Sequence, residues 1–120
     1  MKNYKELEVW QRAMLLAERA YRETKAFPSE ERFGLTSQTR RSAVSVAANR
    51  AEGWGRATTA DYLRFLTIAR GSLMELETHL ILANRLSMLP QPALIELQQE
   101  VERVGMMLNR LITSLRAKHQ

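Results

Sequence analysis

The sequence predicts an all-α protein, a single domain over residues 1–120 folded as an antiparallel up-down-up-down four-helix bundle. Three observations lead there. Three prolines, Pro28, Pro90 and Pro92, together with five glycines divide the 120 residues into four long pieces. Helix formers dominate each piece and strand-favouring runs are scarce. Within each piece apolar residues recur at steps of three and four, the spacing of one helix face.

In the first piece Leu7, Trp10, Met14, Ala17, Tyr21 and Thr24 keep that spacing and mark an inward stripe. Pro28 ends the helix, with Ala26 and Phe27 leading out. Ser29 to Phe33 form a separate turn, interrupted at Gly34. The second piece runs from about Thr36 to Glu52, with Thr36 or Ser37 as N-cap. Its inward residues are small: Ala43, Val44, Val46, Ala47, Ala48 and Ala51. Small side chains let two helix backbones approach closely. Gly53-Trp54-Gly55-Arg56 follows. Two glycines and an arginine suit a phosphate-holding nest, but this stretch follows a helix and does not join a strand to one. Gly53 reads as the residue past a helix end, where a left-handed backbone costs glycine little. Gly55 completes the turn, Trp54 covers the end of the core, and Asn49 and Glu52 bond near the turn.

The third piece runs from about Thr59 to Ser87. Thr58 followed by Asp61 resembles a capping box. Tyr62, Leu66, Ala69, Leu73, Leu76, Leu80 and Ala83 form its stripe, and Phe65, Ile68 and Ile81 lie off it. The fourth starts at Pro92, a good first helical residue, and carries Leu94, Leu97, Val101, Val104, Leu108, Leu111 and Leu115. Met106, Met107 and Ile112 widen that face. Helices three and four thus carry more apolar surface than one core needs, which predicts self-association.

Hydrophobic residues make up 45% of the chain against 26% charged, as in ordinary globular proteins and unlike disordered ones. The absence of cysteine excludes disulfides, thiolate chemistry and cysteine-based zinc sites, and fits a reducing compartment. The opening MKNYKELEVW has no apolar signal-peptide core, and no apolar run approaches the roughly 18 residues of a membrane span. A cytoplasmic protein that does not contact membranes is the expectation.

The net charge is +5, with a pI near 10.1. Residues 1–31 and 75–120 are each balanced. Residues 32–74 hold Arg32, Arg40, Arg41, Arg50, Arg56, Arg64 and Arg70 against only Glu52 and Asp61, which accounts for the whole excess. A second asymmetry follows Glu102, where Arg103, Arg110, Arg116 and Lys118 meet no acid. Localised positive charge argues for anionic partners, RNA or DNA among them. In an antiparallel hairpin turning at 53–58, Ser42 comes beside Arg70, so Arg40, Arg41 and Arg70 are expected to share one region, with Glu75 or Glu77 neutralising part of it. Aromatics do not interleave with these arginines, so binding would run through phosphates and be salt-sensitive.

Catalytic patterns are missing. The sequence has neither a Gly-x-Ser-x-Gly elbow nor a phosphate-loop lysine motif. His79 has Glu75 four residues before it on the same helix face, one acid and one histidine, short of the ligand set of a bundle metal site. His119 lies at the chain's end. No metal, cofactor or enzymatic activity is expected.

Certain runs are familiar together: Phe27-Pro28-Ser29-Glu30-Glu31-Arg32-Phe33-Gly34-Leu35, then Arg40-Arg41-Ser42, then Ala51-Glu52-Gly53, then Ala69-Arg70-Gly71-Ser72-Leu73-Met74-Glu75-Leu76. Over about residues 5–115 the chain resembles the bacterial four-helix-bundle family encoded in intervening sequences of 23S ribosomal RNA. That family is similar to the accessory variability protein of diversity-generating retroelements. The resemblance implies a ring-like homopentamer without catalysis or cofactor. In the retroelement branch it implies a basic oligomer that binds nucleic acid and a reverse transcriptase. Arg50 departs from the family, which tends to have an apolar residue between Asn49 and Ala51, and a proline frequent near Ala47 is absent. The expected function is therefore a homo-oligomeric nucleic-acid-binding or ribonucleoprotein accessory. Arg40, Arg41, Arg50, Arg56, Arg64 and Arg70 are its candidate contacts, some of them structural. The alternative is an assembly or adaptor protein that binds only protein.

Overall fold

The computed structural model describes residues 3–119. It contains four α-helices: α1 (Glu8–Thr24), α2 (Leu35–Trp54), α3 (Thr59–Arg85) and α4 (Gln91–His119). Short 3-10 turns, Tyr4–Glu6 and Ser29–Glu31, precede α1 and α2, and the described residues include no strand. Each helix packs on its chain neighbour and α4 returns to α1, while the diagonal pairs do not meet. The result is an up-down-up-down bundle measuring 46 × 22 × 21 Å. No helix among the described residues is long and apolar enough to cross a membrane.

The stripe of α1 is rotated from the one expected. Val9, Ala13, Leu16, Ala17, Ala20 and Thr24 are buried, whereas Met14 and Tyr21 are exposed and Trp10 only half-buried. The alanines face the core because α1 lies close against α2, and large side chains there would hold the backbones apart.

In α2 the cap differs too. Gly34 precedes the helix without a side-chain cap, and the Leu35 N–H donates to Glu31 Oε1 at 3.0 Å. The 3-10 turn brings this carboxylate to the helix start, where it is also favoured by the helix dipole. Thr36 is buried and does not cap. The inward face is Thr39, Ser42, Ala43, Val46, Ala47, Arg50 and Gly53; Val44 is 44% exposed and Ala48 is also outside.

Gly53 is not a left-handed stop. The helix runs on through it to Trp54, and no glycine has positive φ. Gly53 is there for closeness: a Cβ would lie 3.0 Å from Tyr62 Cδ1 and 3.3 Å from Phe65 Cβ. The same atom added at Gly71 meets nothing within 4 Å. Opposite signs are therefore expected in denaturant unfolding. Gly71→Ala gains about 0.5–1 kcal/mol from lost chain entropy. Gly53→Ala loses about 1–3 kcal/mol to overpacking, less that same gain.

The helix starts and stripes of the second half follow the sequence. Thr58 accepts from the Asp61 N–H, and Leu66, Ala69, Leu73, Leu76, Leu80 and Ala83 are all buried. Ser87, at φ 63°, ends this segment in the left-handed region, with the Met88 N–H donating to the Ala83 carbonyl at 2.8 Å. In α4, Leu94, Leu97, Val101, Val104 and Leu108 are buried. The core then passes to Ile112, leaving Leu111 and Leu115 half-buried.

Candidate nucleic-acid interface

The six candidate arginines do not converge. The α2–α3 turn falls at Gly55–Thr58, so the helix register differs from the expected one. Ser42 lies beside His79, and Ser45 pairs with Ser72 at 2.8 Å between hydroxyls. Arg40 points toward α1, where its Nε donates to Thr24 Oγ1 at 2.8 Å and its guanidinium sits 4.7 Å from the Tyr21 ring centroid. Arg70 points toward α4 and donates to Asn109 Oδ1 at 3.1 Å. Arg40 and Arg70 therefore do not share one region. Arg41 pairs with Glu75, as expected.

The other three are engaged near the hairpin. Arg56 pairs with Glu52 and lies 4.4 Å from the Phe65 ring centroid. Arg64 is 3.7 Å from Asp61 and approaches the same ring at 4.5 Å. Arg50 is 3% exposed and donates to the Tyr62 hydroxyl at 2.8 Å. A nucleic acid has no access to it, so Arg50 belongs to the packing. The arginine on this helix takes the apolar position by burying itself.

The ion pairs redistribute the excess. Arg41, Arg56 and Arg64 are matched by carboxylates. On the other side of the bundle Arg12 and Arg19 of α1 pair with Glu100 and Glu96 of α4. These pairs use two of the acids of α4. Arg103, Arg110, Arg116 and Lys118 are exposed and have no ion pair among the described residues. The acid-free run after Glu102 was the signal for them in the sequence.

Ser42, His79 and Glu75 carry the residue types of a hydrolytic relay. His79 Nδ1 is 3.4 Å from Ser42 Oγ, and Nε2 is 3.9 Å from Glu75 Oε2. Ser42 is 0% exposed, however, and its hydroxyl donates to the Thr39 carbonyl at 3.0 Å. No substrate carbonyl can reach that oxygen. The cluster ties α2 to α3 instead. Further along α2, Asn49 donates to the Ser45 carbonyl at 2.8 Å, and Glu52 bonds to Arg56 four residues on. Among the described residues no three His, Asp or Glu side chains are placed to hold a metal ion.

These features define a helical bundle whose interior polar groups fasten one helix to the next and whose α4 carries Arg103, Arg110, Arg116 and Lys118 without an ion pair among the described residues. Residues 5–110 match the 23S rRNA-intervening sequence protein family, and the chain belongs to that family. A crystal structure of a protein of unknown function from the S23 ribosomal protein family of Bacteroides thetaiotaomicron VPI-5482 has the same fold. The TM-score is 0.78 at 22% identity, over 87% of this chain and 97% of that one. No curated protein matches the sequence.

Proposed function

We propose that this protein is a non-catalytic, self-associating bundle that binds RNA or DNA phosphates and serves as a ribonucleoprotein accessory. The observation that carries this reading is the arrangement of carboxylates. Glu96 and Glu100 are taken up by α1, and the helix beyond Glu102 presents Arg103, Arg110, Arg116 and Lys118 unmatched. Membership in the family supports it. In a homo-oligomer, such as the pentamer that the resemblance implies, this cationic end repeats in every subunit. Simultaneous phosphate contacts then reinforce one another.

Binding to a structured RNA and to a duplex DNA, each across a salt series, tests it. Log affinity should fall linearly with log salt, with a slope of about −0.9 per phosphate contact on duplex DNA. The Arg103→Glu, Arg110→Glu double variant should bind more weakly, with a slope shallower by about 1 per lost contact. Absence of binding to either probe at low salt would sink the reading.

A second reading, an adaptor that binds only protein, is favoured by exposed apolar side chains. Met14, Tyr21 and Val44 border the α1–α2 groove, and Ile68, Met74 and Leu82 lie on the outer side of α3. The same surfaces suit self-association, and a monomeric molar mass at micromolar concentration would remove that part of the proposal.

A further inference from the structure

At the end of the bundle where α2 stops, the fold brings together two aromatic residues that are 50 positions apart in sequence. Tyr4, carried on the first 3-10 turn, and Trp54, in the last turn of α2, line a cleft of about 470 Å³. Ala48, Ala51, Glu52, Gly55 and Arg56 complete its lining. The volume falls within the about 300–1,000 Å³ usual for small-ligand sites. The cleft is held in place. Tyr4 meets Trp10 edge-on with ring centroids 5.5 Å apart, and Gln11 Nε2 donates to the Lys5 carbonyl at 3.1 Å. Arg56 is fixed over Phe65 and paired with Glu52.

The chemistry of this lining differs from that of α4. Glu52 cancels Arg56, so the cleft does not concentrate positive charge and offers little to a bare phosphate. Two aromatic side chains and two alanines offer apolar contact to a planar ring. A carboxylate acceptor and a guanidinium donor at the same cleft can bond the polar edge of such a ring. That combination fits an unpaired nucleobase, because every base has a face to stack and an edge to bond. A duplex keeps its bases stacked on one another and cannot supply one.

We infer that the Tyr4–Trp54 cleft receives an unpaired nucleobase of a single-stranded segment. The inference rests on the nucleic-acid reading above and gives it a preference for single strands. The chain has two tryptophans, so Trp10→Phe leaves Trp54 as the sole reporter in the otherwise intact oligomer. The probes are a ten-nucleotide single-stranded RNA and an RNA duplex of equal length. The single strand should quench Trp54 emission and the duplex should not. Tyr4→Ala and Trp54→Leu should each weaken single-strand affinity about tenfold, the scale of one lost stacking contact. The salt slope and duplex affinity should stay unchanged. Circular dichroism and molar mass establish that the variants are folded, and Tyr4, outside the four helices, keeps the test open should Trp54→Leu not fold. Single-strand binding without quenching, and undiminished in Tyr4→Ala, would overturn the cleft while leaving the phosphate reading in place. Failure of both probes to bind at low salt would overturn both. Quenching by a protein partner alone, with no effect of RNA, would also overturn it.

Discussion

Arg50→Met is expected to stabilise the protein, by about 1–4 kcal/mol, taking the range for buried ion pairs exchanged for apolar side chains of similar volume. Arg50 is 3% exposed, and no carboxylate of the described residues pairs with it. Among the described residues its only hydrogen bond is from Nη1 to the Tyr62 hydroxyl, and Nε is buried without an acceptor. The ring of Tyr62, 5.6 Å away, adds a cation–π attraction, worth about 0.5–2 kcal/mol. Against these stands the desolvation of a full charge, several kcal/mol after relaxation. The cost wins. Tyr62→Phe in the native background should be destabilising by about 1.5–3 kcal/mol, because it strips the guanidinium of its one acceptor. Combined with Arg50→Met, most of that loss should vanish, so the cycle should show strong coupling. Denaturant unfolding of the four proteins at one concentration measures it. A destabilised Arg50→Met protein would mean that the attractions outweigh the desolvation.

Leu76→Ala should cost about 2–5 kcal/mol, the usual range for a leucine truncated in a core. Leu76 is 0% exposed at the middle of α3, the helix that packs against both α2 and α4. A domain of this size has about 5–15 kcal/mol to lose, so the variant should approach the edge of folding. Leu82, on the same helix and 45% exposed, is the contrast. Leu82→Ala should change protomer stability by no more than about 0.5 kcal/mol. If α3 is an assembly surface, its effect should appear in molar mass at low concentration. Denaturation curves and light scattering together separate the two roles.

Much of the fold was legible because α3 and α4 place leucine and valine inward at regular steps. From Leu66 to Ala83 every residue of the expected α3 stripe is buried, joined by Ser72. The stripe of α1 misled for a physical reason. Ala13, Leu16 and Ala20 also repeat at helical spacing, but alanine carries little apolar weight beside Met14 and Tyr21. What favours alanine inside is the proximity of α2, a property of the pair of helices and not of either one. Gly53 failed in the same way: its role is set by Tyr62 and Phe65 across the turn. For the candidate site, the size and location of the charge excess could be read by counting. Arg56 and Arg64 pair with acids four and three residues away, whereas whether Arg40 and Arg70 would meet depended on the register of α2 against α3, and that register turned on where four turn residues fell. Tyr4 and Trp54 gave no sign of meeting, since nothing in a one-dimensional pattern relates a chain's fourth residue to its fifty-fourth.

The ring of helix contacts has a consequence for assembly of the protomer itself. Three of its four seams join helices adjacent in the chain, so a local loop closes each one. The fourth, between α1 and α4, joins the chain's two ends and is the thinnest. Two arginine–glutamate pairs line it. Closing it requires ordering nearly the whole chain, whereas α2 and α3 need only the short turn at Gly55–Thr58. Loop-closure entropy rises with loop length, so the bundle is built like a folded strip fastened last along one edge. That edge is a clasp of exposed and half-exposed charge, the part of the protomer most open to loosening by salt.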